Sequence, residues 1–153
     1  MRFSELPAGR LRLAINLYPP FLFAGIRVTE ISADHRRVRV TLKLRPWNRN
    51  LVGTQFGGSL FAMSDPWFML ILMKRLGPGY IVRDKAAAID FVAPGRGHVH
   101  ATFELSDGQI AAFQAATDAQ GKHLEWFETE IVDDAGAVVA RVRRQLYARR
   151  KQR

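Results

Sequence analysis

The chain has 153 residues, which is the length of one domain with a core of its own. It is 48% hydrophobic and 24% charged, as globular proteins are, and it contains no cysteine. A disulfide framework, a thiolate zinc site and a cysteine nucleophile are therefore excluded, and the composition favours a cytoplasmic protein. The net charge of +9 points to an anionic partner: a nucleic acid, a membrane surface or a phosphate-bearing ligand.

The N-terminal third of the chain is predicted to form a helix followed by a β-hairpin. Residues 8–24 have a helical pattern that stops at Pro19-Pro20. The segment RVRVTLKLR, from Arg37 to Arg45, alternates polar and apolar residues, which predicts a half-buried strand. The segment GIRVTEIS precedes it, and a turn at Asp34-His35 joins the two into a hairpin.

The segment from Gly57 to Arg75 is predicted to form one long buried helix, because its apolar residues leave no polar face. Its longest apolar run, Pro66 to Met73, is far too short for a membrane span of roughly 20 residues. Asp65 is the one acid of this segment and precedes Pro66. Two interpretations are open: Asp65 caps a second helix that starts here, or Pro66 kinks one continuous helix.

The C-terminal half is predicted to be mostly strands. In chain order we expect a strand over Lys85–Ala93, a turn at 94–97, a strand over 98–105, a short helix capped by Ser106 or Asp107, a strand over His123–Val132 with a bulge near Trp126-Phe127, and a last strand over Val138–Tyr147. The basic run from Arg141 to Arg153 is interpreted as a solvated strand edge with a frayed tail.

This order of elements predicts an α+β fold in which one curved antiparallel sheet wraps around a long buried helix, with an extra N-terminal helix. A single domain is expected over residues 1–153, with an N-terminal helical segment at 1–24 and a basic tail at 148–153.

The residues at the start of the long helix and the acid within it suggest chemistry. A buried carboxylate needs partners or a role, because losing its hydration costs several kcal/mol. Gly57-Gly58 either bares backbone N–H groups to a developing oxyanion or lets the helix pack closely on a strand. Asp65 lies eight residues further on, about 12 Å along a helix, so one protomer cannot place both on one carbonyl. Two antiparallel copies of the helix can, so the chemistry predicts a dimer.

The stretch NLVGTQFGG followed by SLFAMSD resembles the N-x-x-G-x-x-H-G-G…D motif of hotdog-fold acyl-CoA thioesterases of the phenylacetate-degradation type. The variant G-T-x-F-G-G…D-P is similar to a branch known only as a domain of unknown function, and the resemblance extends from about Gly25 to Tyr147. It implies a hotdog fold and hydrolysis of an acyl thioester at a site between subunits of a homodimer or a dimer of dimers. Coenzyme A would enter as part of the substrate, and no other cofactor is implied.

The resemblance also implies roles for three residues. Asp65 matches the catalytic acid, which acts as general base for water or as nucleophile. Gly57 matches the residue whose N–H polarises the thioester carbonyl, and Asn50 matches the asparagine that positions water or the carbonyl.

Four further residues are expected to contact substrate: Phe56, Gly58, Phe61 and Asp84. Phe56 stands where many relatives have histidine, so a polar group beside the carbonyl is missing. Asp84 stands near a position where relatives often have Ser or Thr supporting the water. It either replaces that residue or pairs with Lys85 as a surface turn, and exposed pairs of the second kind are common and weak.

Two rival functions remain open at this stage. One is a non-catalytic acyl-CoA or lipid binder of the same fold, in which Asp65 is only a helix cap. The other is a nucleic-acid or anionic-surface binder driven by the net charge, although no aromatic residues are interleaved in the basic tail and no nucleic-acid partner is expected. The four histidines lack metal-ligand spacing, so no metal site is expected.

Overall fold

The protein is described by a computed structural model that covers residues 6–151. Residues 1–5 of the predicted N-terminal segment and residues 152–153 of the predicted basic tail lie outside the described residues. The elements are α1 (Ala8–Asn16), α2 (Pro19–Ala24), β1 (Ile26–Ile31), β2 (Arg37–Leu42), α3 (Gly57–Ala62), α4 (Trp67–Leu76), β3 (Tyr80–Phe91), β4 (Val99–Glu104), α5 (Asp107–Gln120), β5 (Lys122–Asp133) and β6 (Val138–Arg150).

The strands form one antiparallel sheet in the order β1-β2-β4-β5-β6-β3, so β1 and β3 are its edges. The predicted hairpin is confirmed, since β1 pairs with β2 and Val28 lies opposite Val40. Alternation buries Val38, Val40 and Leu42 of β2 on the inner face of the sheet.

The buried helical segment packs on this inner face. Trp67 and Leu72 of α4 are fully buried, and the ring of Phe68 meets that of Phe103 on β4 edge-on, with centroids 5.3 Å apart. The predicted α+β architecture, a curved antiparallel sheet around a buried helical segment, is therefore confirmed.

The buried helical segment is interrupted between α3 and α4. Pro66 precedes the first residue of α4, and no side chain caps this helix. A second helix therefore starts here, as one interpretation held, but Asp65 does not cap it. The indole N–H of Trp67 donates to the Met63 carbonyl at 2.7 Å, and this bond links the end of α3 to the start of α4. The carboxylate of Asp65 is thus left free of backbone capping bonds.

Three details differ from the sequence predictions. A short second helix, α2, begins at Pro19, because proline is well suited to a first helical turn. The β5–β6 pairing is regular at Trp126-Phe127 and shifts register at Ile131/Val132, so the bulge predicted near Trp126-Phe127 is wrong. The basic run continues as strand to Arg150 and lies between β5 and β3, so it is not a sheet edge.

The capped helix predicted after β4 is confirmed. The Ser106 hydroxyl accepts a bond from the Gln109 N–H, and the Gln109 side chain accepts one from the Ser106 N–H, which is a capping box. Within residues 6–151, the helices are all too short or too polar to cross a membrane.

Candidate active site

A cavity of about 360 Å³ opens at the start of α3. Its lining includes Asn50, Gly57, Leu60 and Phe91, together with the loop 92–95, and carries no charged side chain. We call it the Gly57 cavity. Two of the three residues expected to act in catalysis, Gly57 and Asn50, therefore lie together.

Gly57 lines this cavity and carries a backbone donor. It is the first residue of α3, so its N–H has no acceptor within the helix. A Cβ at this position would come within 3.0 Å of the Phe91 ring, so glycine permits the close approach of that ring. Because α3 has only six residues, the N–H itself and not a long helix dipole is what the site offers.

Asn50 organises the loop that forms one wall of the cavity. Its side-chain oxygen accepts bonds from the N–H groups of Thr54 at 2.9 Å and Val52 at 3.1 Å. Its amide nitrogen donates to the Thr54 hydroxyl at 2.8 Å and, at a long 3.4 Å, to the Gln55 carbonyl. One amide hydrogen is therefore only weakly engaged and is the part of Asn50 that a ligand can recruit.

Gln55 is a supporting residue that the sequence analysis missed. Its side chain is only 3% exposed, and its amide nitrogen donates to the carbonyls of Leu42 at 3.1 Å and Gly97 at 2.9 Å. It thereby ties the end of β2 and the loop before β4 to the entry of α3. Nothing in its sequence context distinguishes it from a surface glutamine.

The third expected catalytic residue, Asp65, belongs to a different group of side chains. The guanidinium of Arg144 on β6 places Nη1 3.8 Å from the Oδ1 atoms of both Asp65 and Asp84. The exposed fractions of these side chains are 9% for Arg144, 55% for Asp65 and 25% for Asp84. We call these three residues, with Ser64 and Phe61, the Arg144 cluster.

The guanidinium of Arg144 is held from the helical side. Nη2 and Nε donate to the Ser64 hydroxyl at 2.8 and 3.3 Å, and that hydroxyl donates to the Phe61 carbonyl at 2.6 Å. The Phe61 ring lies 5.1 Å from the guanidinium carbon, a cation–π distance. Phe61, expected to contact substrate, therefore contacts Arg144 in the structure.

Asp84 lies inside β3, and the interpretation of an Asp84–Lys85 surface turn is wrong. The β3–β6 register shifts between Asp84 and Ala86, an irregularity of the kind that redirects side chains. Burial raises the pKa of Asp84 above its usual value of 3.8, the charge of Arg144 opposes that rise, and the charge of Asp65 adds to it.

Arg144 is the charged residue that sequence reasoning overlooked, although a signal for it was present. Along β6, Val142, Arg144 and Leu146 share the inward phase of the alternation and are all buried. A charged residue in the buried phase of a strand needs a counter-charge, and two carboxylates supply it here.

The remaining two predicted site residues lie beside the Gly57 cavity. Phe56 is 54% exposed and borders a shallow surface pocket with Asn50 and Leu51. Its ring lies over Gly58, where a Cβ would come within 2.5 Å of the ring, so glycine is required for that contact. Asp65 is not part of the lining of the Gly57 cavity. The predicted residues therefore form two separate groups on this chain.

A metal centre is not evident in this arrangement. Within residues 6–151, no three His, Asp or Glu side chains are grouped as metal ligands.

Solved structures with the same architecture identify the fold. A Pseudomonas aeruginosa protein of unknown function, described as a probable thioesterase, has a TM-score of 0.85 at 19% identity, with 95% of this chain and 97% of that one covered. A Haemophilus influenzae thioesterase has a TM-score of 0.69 at 13% identity, covering 95% and 92%. The PaaI protein of the E. coli phenylacetic acid degradation operon has a TM-score of 0.63 at 21% identity, covering 92% and 89%. The protein has the hotdog fold.

The family is shown by the sequence itself. The model of the domain of unknown function DUF4442 matches residues 10–148, and the chain belongs to that family. No curated protein matches it.

Proposed function

We propose that the protein is an acyl-CoA thioesterase whose active site is composed of the Gly57 cavity of one protomer and the Arg144 cluster of another. The observation that carries the proposal is the separation of the two groups: the backbone donor of Gly57 and the carboxylate of Asp65 occupy different places on one chain. The thioesterase names given to two proteins of the same fold support the choice of reaction.

An unpaired sheet edge supports the dimer. β3 is the last strand of the sheet and has twelve residues, and within residues 6–151 its only strand partner is β6. A long open edge is a template for pairing with another chain. Pairing of two β3 strands about a two-fold axis would continue the sheet and set the helical segments of the protomers antiparallel, so that Asp65 of each approaches Gly57 of the other.

The proposed chemistry divides between the two groups. The Gly57 N–H hydrogen-bonds the thioester carbonyl oxygen and stabilises the negative charge that develops there. Asp65 takes a proton from water as the water oxygen attacks the carbonyl carbon. The C–S bond then breaks, the sulfur takes up the proton that Asp65 accepted, and a carboxylic acid and a free thiol leave.

A covalent variant of this mechanism uses the same residues. Asp65 attacks the carbonyl carbon directly, the thiol departs, and water hydrolyses the resulting anhydride. Label in the Asp65 carboxyl group after a single turnover in ¹⁸O-water identifies the covalent variant, because general-base catalysis forms no bond between the water oxygen and Asp65.

The phosphates of coenzyme A need cations near the Gly57 cavity. Arg49 borders the shallow pocket beside Phe56, and Arg96 follows the cavity residue Gly95. Both arginines are exposed, so they are our candidates for the phosphate contacts.

The first experiment is thiol release from short, long and aromatic acyl-CoAs by the wild type and Asp65→Asn. The expected loss is roughly 10²- to 10⁴-fold in kcat, because an amide cannot accept the proton. Glu128→Gln, the same change on an exposed part of β5, is the matched control and should retain activity. Equal activity in the wild type and Asp65→Asn would contradict the mechanism.

A second candidate function, lipid or acyl-CoA binding without turnover, is favoured by one observation. An apolar cavity of about 350 Å³ lies between the N-terminal helices and α4, with Ile15, Phe21, Met69 and Met73 in its lining. That size lies in the range of small-molecule sites. Saturable fatty-acid binding that Leu70→Trp abolishes, with no thiol release from any acyl-CoA, would favour this candidate over hydrolysis.

A further inference from the structure

The Arg144 cluster contains a cation and a second carboxylate that have no part in the hydrolysis mechanism described above. One buried cation faces two carboxylates at equal distances of 3.8 Å, and one of them, Asp65, is the proposed base or nucleophile. The distances exceed hydrogen-bond range, so the cation acts on both oxygens through its charge.

We propose that Arg144 is a positioning residue that orients Asp65 toward the partner's cavity and offsets the repulsion between the carboxylates of Asp65 and Asp84, and that Asp84 weakens this effect by competing for the same guanidinium. The inference rests on the proposed function, because it assigns the group that prepares Asp65 for that reaction.

The orientation follows from how the guanidinium is held. Two of its nitrogens are occupied by the Ser64 hydroxyl, and its face lies against the Phe61 ring. Ser64 directly precedes Asp65. By binding Ser64, the Arg144 side chain therefore also holds the backbone turn that carries Asp65. With Nε and Nη2 engaged, only Nη1 is directed at the two carboxylates.

The electrostatic part of this role follows from the balance of charge. Three charged groups meet here: Asp65 from the α3–α4 junction, Asp84 from β3 and Arg144 from β6, and the charges that act on Asp84 are those of the other two. The charge of a neighbouring carboxylate disfavours the ionised form of an acid, and a neighbouring cation favours it. Arg144 therefore opposes the repulsion between the two carboxylates.

A purely structural role for Arg144 is the alternative. Nη2 also lies 3.4 Å from the Phe61 carbonyl, so the residue helps to satisfy the end of α3. Loss of that contact would lower stability and activity at every pH alike. Displacement of a pH profile is the readout that a structural role would not produce.

The test compares the wild type with Arg144→Gln, Arg144→Lys, Asp84→Asn and the double variant Arg144→Gln/Asp84→Asn. Two quantities are measured: the pH dependence of kcat for acyl-CoA hydrolysis, and the pH titration of the aspartate side-chain carboxyl carbons by ¹³C NMR. Circular dichroism and thermal unfolding establish which variants are folded.

The expected displacements have opposite signs. Arg144→Gln moves the acid limb of the kcat profile to higher pH, because the carboxylates lose their cation. Asp84→Asn moves the limb down, because Asp65 then faces Arg144 alone, and the double variant falls between the two. Arg144→Lys restores much of the limb position, since it keeps the charge, but leaves kcat low, since an ammonium cannot reproduce the fork to Ser64.

The NMR titration tests the role of Arg144 even if the protein hydrolyses no acyl-CoA. Arg144→Gln should raise the pKa of Asp84 further, because Arg144 is the cation that lowers it. If the pKa of Asp84 rises in Arg144→Gln but no acyl-CoA releases thiol, the electrostatic role of Arg144 is supported and the thioesterase proposal is overturned. Hydrolysis with an unmoved acid limb and an unmoved Asp84 titration would overturn the role of Arg144. If Arg144→Gln does not fold, the downward displacement in Asp84→Asn decides, and its absence overturns the proposal.

Discussion

The Gly57 cavity and the Arg144 cluster lie along one helical segment but differ in the charge of their side chains. The cavity is lined by neutral residues and offers a backbone N–H, whereas the cluster gathers one cation and two carboxylates. The first can stabilise negative charge on a carbonyl oxygen, and the second can accept a proton. The proposed hydrolysis of a thioester needs both, so under that proposal the active site is shared by two chains.

Among the substitutions at the Gly57 cavity, removal of the Gly57 N–H should have the largest effect on kcat. Gly57→Pro deletes the N–H, yet proline suits the first position of a helix, and Phe56 at φ −70°, ψ 127° already has the backbone that precedes a proline. We expect kcat to fall about 10²- to 10³-fold in the thiol-release assay.

Gly57→Ala is the matched control for that substitution. It adds the same Cβ against the Phe91 ring but keeps the N–H, so it should retain much more activity than Gly57→Pro. Similar losses in the two variants would mean that the Cβ and not the donor matters, which would remove Gly57 from the mechanism.

Restoring a polar group beside the carbonyl should have a moderate effect. Phe56→His replaces an exposed ring next to the Gly57 cavity with one that carries an N–H donor. We expect kcat to rise by roughly tenfold, less than a fully positioned donor contributes, since the surrounding residues are not arranged for it. Phe56→Leu controls for loss of the ring, and a rise in both variants would show that crowding and not polarity limits the rate.

A substitution outside both regions should have the smallest effect and change stability alone. Asp34 in the β1–β2 turn bonds Ser32 at 2.6 Å and Arg36 at 2.7 Å, and these bonds hold its pKa well below 3.8. A lowered carboxyl pKa contributes stability above pH 4, and the contribution is lost as pH falls toward the folded-state value.

Asp34→Asn should therefore lower the melting temperature slightly at pH 7 and progressively less in acid, while kcat stays unchanged. The check is thermal unfolding of both proteins between pH 2 and pH 7. A difference in melting temperature that persists undiminished at pH 2 would contradict this account of Asp34.

Much of the fold could be predicted because it depends on local patterns. The alternation in β2, the all-round apolar character of α4 and the Ser106 capping box each specify their element without distant partners. The bulge was misplaced because a strand irregularity depends on the neighbouring strands, and β5 changes register at Ile131/Val132 only against β6.

The proximity of Gly57 to Asn50 could be predicted from the sequence, whereas the grouping of Asp65 with other side chains could not. Gly57 and Asn50 belong to one loop-helix unit, so proximity in sequence brings them together. Asp84 and Arg144 join Asp65 only through the pairing of β3 with β6, which no single segment encodes. The open β3 edge is likewise a property of sheet order, which became visible only in the assembled fold.

The most direct test of a shared active site is complementation between two inactive variants. Asp65→Asn and Gly57→Pro are unfolded together in equal amounts, refolded and assayed against each variant refolded alone. In a mixed dimer, one site receives both defects and the other receives neither, so random pairing should return about a quarter of wild-type sites. Recovery near that level would support a site built from two protomers. A mixture no more active than the two variants refolded separately, with mixed dimers demonstrated by mass spectrometry, would place both residues in one chain's site and contradict the account.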